Sequence, residues 1–204
     1  MRSDRAPSAP VPVSFLASES GTAGVELSLI LPPALIMLGL ITMAGLGFET
    51  ERRVSLAART VTDLVSQAPY VSNPSVAGAT ELNQSDLDTD LALASVIMWP
   101  YATTSLQVVM SELSVNSVNN TGTVVWSEPY NGATALPVGT VLTLSPSLAA
   151  TGAAYLIYGQ VQYTFQPLDI YMSIGTITLN ESDILVPRNA AQITINWGQI
   201  ASGD

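Results

Sequence analysis

One stretch limits what this chain can fold into more than any other: Leu27 to Phe48, 22 residues without a charge. Glu26 precedes it directly, and Glu49-Thr50-Glu51-Arg52-Arg53 follows. Wound as a helix, such a run is about 33 Å long, against a bilayer interior of ~30 Å. What comes before it is short and has no core of its own. What comes after reads as one strand-rich domain with polar faces. The expectation is an exported domain carried on an apolar helix, either anchored in a membrane or packed among other helices.

Composition narrows the function classes. A chain of 204 residues, at roughly 100–150 per domain, has room for one folded domain and an anchor. The formal net charge is −10, there is no Lys, and the basic residues are Arg2, Arg5, Arg52, Arg53, Arg59 and Arg188. Binding to nucleic acid draws on a basic footprint that releases counterions, so no nucleic-acid partner is expected. The chain also lacks Cys and His. That removes disulfides, thiolate and imidazole metal sites, Cys nucleophiles and Ser-His triads. Neither a metal nor a cofactor is expected.

Residues 1–20 are rich in Pro and Ser (Ala6-Pro7-Ser8-Ala9-Pro10-Val11-Pro12) and carry Arg2 and Arg5. Proline at that density predicts a disordered leader. A secretory signal would place its apolar region in this stretch, and a cut after Ala44 would follow an unusually long leader. Within the run, Pro32-Pro33 predict a kink or a locally opened helix around residues 28–33. Gly39, Gly45, Gly47, Ala34 and Ala44 are small enough to let another helix approach closely. Beyond Phe48, Val54, Ala57, Ala58, Val61, Leu64, Val65 and Ala68 draw one apolar stripe, which Pro69 ends. Glu49–Arg53 and Arg59–Asp63 fall at i, i+4 on the other side.

Tyr70 to Gln84 is expected to be loop. Ser85 has the character of an N-cap, with Asp86, Asp88 and Asp90 in a first turn that favours negative charge, and Trp99-Pro100 ends the helix near Met98. The Asp-x-Asp-x-Asp spacing resembles the start of a calcium loop. Leu91 and Ile97 stand where such a loop has Gly and Glu, so a charged first turn is the better account. Then come strands. Leu106 to Asn116 alternates with a phase change between Met110 and Leu113, which predicts a bulge or bend. Asn119-Asn120-Thr121-Gly122 turns the chain back through Thr123 to Ser127. Val141 to Leu144 is a short strand, and Ser145-Pro146-Ser147 opens a single helical turn. Tyr155 to Phe165 is the clearest strand. Tyr155, Ile157, Val161, Tyr163 and Phe165 point one way; Tyr158, Gln160, Gln162 and Thr164 point the other. It is expected to be the central strand under the amphipathic helix. Ile174 to Leu179 and Gln192 to Trp197 complete the set. The pattern is α+β: a long N-terminal helix, then a head with an antiparallel sheet and short helices. Its expected segments are 1–21 as leader, 22–68 as helix and 69–204 as head.

A carboxylate at the edge of a membrane helix costs several kcal/mol (~2.5–3.5 at the centre) unless it finds water or a partner. Glu26 meets water if it sits at the interface. A second reading follows from its spacing. With a cut between Gly21 and Thr22, Thr22 becomes the amino terminus and Glu26 the fifth residue. Amine and carboxylate then lie about one turn apart, and between neighbouring subunits they neutralise each other and fix helix register.

A basic leader, a Gly, four residues, a Glu and an apolar helix resemble a type IV prepilin. More closely, the chain resembles the TadE family of minor pseudopilins of the Tad (tight adherence, Flp-type) pilus. The likeness covers Gly21 to Val61, Tyr155-Leu156-Ile157-Tyr158-Gly159-Gln160-Val161-Gln162-Tyr163-Thr164-Phe165-Gln166-Pro167-Leu168, and Val186-Pro187-Arg188. It implies a subunit or assembly factor of a bacterial pilus, inserted in the inner membrane with an extracytoplasmic head. It also implies Gly21 and Thr22 as the site of a prepilin peptidase, and Glu26 as the assembly residue. The partners it implies are other pilins or pseudopilins, Tad inner-membrane assembly proteins and the membrane itself, with no catalysis.

Two other classes fit the residues. One is an uncleaved, membrane-tethered head that binds a ligand outside the cytoplasm. The other is a carboxylate-dependent hydrolase using Asp86, Asp88 or Asp169. Arg188, the last basic residue, is expected to lock a loop onto the sheet.

Overall fold

The computed structural model describes residues 20–71, 76–167 and 175–198. The layout is α+β. In order the elements are α1 (Ser20–Ser66), β1 (Ala79–Asn83), α2 (Gln84–Ile97), β2 (Leu106–Asn116), β3 (Thr121–Tyr130) and β4 (Val141–Thr143). They continue with α3 (Pro146–Ala149), β5 (Tyr155–Phe165), β6 (Ile177–Leu185) and β7 (Gln192–Asn196). The chain divides into two compact units between Met43 and Ala44. The expectations for residues 1–19, Asn73-Pro74, Asp169 and Ile174 fall outside the described residues.

The first unit is the apolar half of α1. The helix continues without a break through Pro32 and Pro33, so no locally opened turn appears. Proline's fixed φ is itself helical, and its cost lies in a missing N–H and in crowding of the preceding turn.

In the second unit α1 is amphipathic, and its stripe is the core. Val54, Ala57, Ala58, Val61, Val65 and Ala68 are buried, with Leu64 half-buried. Arg53 Nε donates to Glu49 Oε1 at 2.9 Å, as the spacing predicts. The Arg59–Asp63 pair does not form as expected. Asp63 takes Arg188 instead, which lies in the segment after β6. That segment closes the end of α1. The Arg188 N–H donates to the Ser66 carbonyl (2.9 Å), and Asn189 Nδ2 donates to those of Gln67 and Ala68 (2.9 and 3.0 Å). These carbonyls are among the orphans at any helix C-terminus. Arg188 therefore locks its loop to the helix, not to the sheet.

The main sheet has five strands in the order β4-β3-β2-β5-β6, all antiparallel. Its middle is β2, not β5, although β5 is the strand that meets α1. There Gly159 lets the helix come close: a Cβ at this position would stand 2.0 Å from Thr62 Oγ1. The phase change in β2 has a different cause from a bulge in that strand. Its register with β5 runs unbroken from Leu106 to Ser114. The irregularity lies in the pairing with β3, where Glu112 faces Trp126 and Leu113 faces Val124, leaving Val125 as the extra residue. The apolar positions change phase because the core changes face. Leu106, Val108 and Met110 join the cluster under α1, and Leu113 joins a second cluster with Val124, Leu144 and Leu156 on the other side.

Several elements depart from expectation, β6 among them, which runs to Leu185 and not to Leu179. Within the predicted loop lies β1, and β7 is no part of the antiparallel sheet. The two pair with each other in parallel, Thr80 opposite Ile193 and Leu82 opposite Ile195. Strands this short carry little periodicity of their own, and their pairing is set by tertiary contacts. The first turn of α2 also begins earlier than predicted. Asn83 is its N-cap residue, without a side-chain cap bond, while Ser85 lies inside the helix. By contrast α3 is capped as expected, with Ser145 Oγ accepting from the Leu148 N–H.

Candidate functional site

Burial separates the halves of α1 sharply. Every residue from Ala23 to Leu38 is exposed, including Leu29 at 77 % and Val25 at 70 %. A helix apolar all round belongs in a core or in a bilayer. Among the described residues this is the one helix long and apolar enough to cross a membrane. Its two polar residues between Leu27 and Phe48 are satisfied within the helix. Ser28 Oγ donates to the Val25 carbonyl at 2.8 Å, and Thr42 Oγ1 to that of Leu38 at 2.9 Å. Such back-bonding hides hydroxyls from a solvent that cannot receive them.

Glu26 lies at the head of this segment, on α1 and exposed. Gly21 and Thr22 fall in the first turn of the same helix. The predicted processing and assembly residues thus share one helical element within six residues.

Of the acids considered for catalysis, Asp169 lies outside the described residues. Asp86 and Asp88 are exposed in the first turns of α2. Burial, and secondarily the charge of Asp86, pushes the Asp90 carboxyl above the usual range. Glu128 is raised mainly by burial, with Asp88 adding and a hydrogen bond from Gln84 opposing. Among the described residues no three acids stand close enough to hold a metal ion. A groove of about 330 Å³ on the sheet face away from α1 is lined mostly by amides and hydroxyls, among them Gln107, Gln160, Gln162, Asn180 and Ser182.

One buried acid escaped the sequence reading. Glu112 is fully buried on β2, on the face toward α1. Its Oε1 accepts the Ile193 N–H at 2.7 Å, and its Oε2 accepts from Gln192 Nε2 at 3.3 Å. The residue opposite, Trp126, donates Nε1–H to the Ile193 carbonyl at 2.7 Å. One cross-strand pair therefore holds both backbone groups of Ile193 and joins β7 to the main sheet. Burial pushes the Glu112 carboxyl up to about 7, against the lowering effect of these hydrogen bonds. A Glu in step with Leu106, Val108 and Met110 was the available signal.

No protein-family model matches the chain, and no curated protein or solved structure does. The site therefore rests on its own geometry: an exposed apolar helix, headed by a carboxylate, running into a folded α+β head.

Proposed function

We propose that the chain is a TadE-like minor pseudopilin, a subunit or assembly factor of a Tad-type pilus, held in the bacterial inner membrane with its head outside the cytoplasm. The observation that carries the reading is the division of α1. Its first half presents apolar side chains all round, and its second half is built into the core of the head. Helices in a non-aqueous setting attract one another by close packing and by polar groups that find partners. In this account Gly39, Gly45 and Ala44 allow close approach. After cutting between Gly21 and Thr22, the Thr22 amine of one subunit meets Glu26 of its neighbour and sets the register. No step of this function is catalytic.

Glu26→Ala tests it. The variant is expected to be cut and exported like the parent, because neither the cut bond nor the head is touched, yet to leave cells without pili. Normal piliation in that variant would sink the register role.

A further inference from the structure

Near the start of the second unit's part of α1, exposed Phe48, Trp99 and Ile177 accompany the half-buried Tyr101. Phe48 is 72 % exposed and Trp99 is 75 % exposed. Arg53, five residues after Phe48, holds the Trp99 segment from α1. Its Nη1 donates to the carbonyls of Ile97 (3.1 Å) and Trp99 (2.6 Å), while Nε is taken by Glu49. The Tyr101 ring lies 5.7 Å from the guanidinium carbon, within cation–π range. Phe165 Cε1 comes within 3.9 Å of where a Gly47 Cβ would be, and its pairing partner Ile177 is 44 % exposed. The Arg53 bonds fix the backbone at Trp99, whose indole stands exposed.

We infer that this end of the head, carrying Phe48, Trp99, Tyr101 and Ile177, is seated in the headgroup and glycerol layer of a phospholipid bilayer. The inference rests on the reading of Leu27–Phe48 as a membrane span. Three arguments select that occupant. The apolar run ends at Phe48, so these side chains stand where the chain leaves hydrocarbon. Trp and Tyr have an apolar body and a polar edge, which suits that layer. Arg52, beside Phe48 in one groove with Leu56, has a long stem that reaches phosphate while its methylenes stay in apolar surroundings. Glu49 and Glu51 stand next to it, so local charge does not favour anionic lipid. The surface recognises the layer, not a particular headgroup.

The test uses the full chain in vesicles of phosphatidylcholine alone and of phosphatidylcholine with phosphatidylglycerol. Trp197→Phe simplifies the emission, and the Trp99 signal is the difference from the same chain with Trp99→Phe. Trp126, buried in the head, reports that each variant is folded. A reference indole at the far turn comes from Val118→Trp in the Trp99→Phe background, since Val118 is 88 % exposed. Trp99 emission is expected to be quenched by a nitroxide near the glycerol end of the acyl chain and shielded several-fold from acrylamide relative to the reference, equally in both lipids. Acrylamide quenching of Trp99 equal to the reference, in protein that resists an alkaline carbonate wash, would overturn this inference alone. Protein removed by the wash would overturn the span and the inference together.

Discussion

Glu112 shows what one residue does in this fold. Its carboxylate and the indole of Trp126 bind the N–H and C=O of Ile193, so the two sheets are joined through one pair of side chains. The carboxyl titrates near 7 when folded and near 4.5 when free. Between those values the folded state binds more protons than the unfolded state, so stability falls as pH rises from 4.5 to about 7 and is level beyond. The span corresponds to about 3 kcal/mol at 1.36 kcal/mol per pH unit. Glu112→Gln keeps an acceptor for Ile193 and removes the charge. Denaturant midpoints of the head, followed by Trp126 fluorescence, are expected to lose most of this slope in the variant. An unchanged slope would place the titration elsewhere. The sequence displays Glu112 at an inward position of an alternating strand, but it cannot display the partner. Ile193 is 81 residues away, in a strand whose pairing no local pattern announces.

Among the elements, those whose residues state their own periodicity were legible. Both β2 and β5 have the boundaries that alternation predicts, and the α1 stripe is buried where its spacing places it. What was hidden is non-local: β1 inside an expected loop, β7 in parallel with it, and Asp63 choosing Arg188 over Arg59. The contact of α1 with β5 makes a prediction at this scale. Gly159→Ala drives a Cβ into Thr62 Oγ1 and is expected to cost about 1–3 kcal/mol, the usual range for overpacking. Adding Thr62→Ala removes that oxygen but leaves the Thr62 Cβ at 3.2 Å and Met110 Cε at 3.3 Å. The pair is therefore expected to recover part of the loss, a coupling of about 1 kcal/mol in a double-mutant cycle. Strict additivity would mean that the helix and the strand do not press on each other there. At the C-terminus of α1, Asn189→Ala gives up two bonds to orphan carbonyls and is expected to cost about 1 kcal/mol. The Arg188–Asp63 pair, exposed on both sides, is worth less than about 1 kcal/mol. Thermal unfolding of Asn189→Ala beside Arg188→Gln checks the order, and a larger loss for Arg188→Gln would reverse it.

For the whole molecule, the chain divides between Met43 and Ala44 into two compact units of opposite character. One unit offers apolar side chains in every direction. The other hides them beneath a five-stranded sheet, a two-stranded sheet and α2. The 22 uncharged residues were plain from sequence, but the expected segments kept 22–68 together, whereas residues 44–66 of α1 belong with the head. The surface carrying Phe48 and Trp99 was not plain there, because it depends on Arg53 bonding the carbonyls of Ile97 and Trp99 at the end of α2. Function at this scale depends on whether the apolar helix is a processed assembly element or a permanent tether. The mature amino terminus decides it. Protein taken from membranes, with and without the cognate prepilin peptidase, is analysed by intact mass and N-terminal sequencing. A start at Thr22 that depends on the peptidase is the result predicted here. An intact leader in both preparations would contradict it and leave a tethered head, and a start near Gly45 would contradict the membrane helix as well.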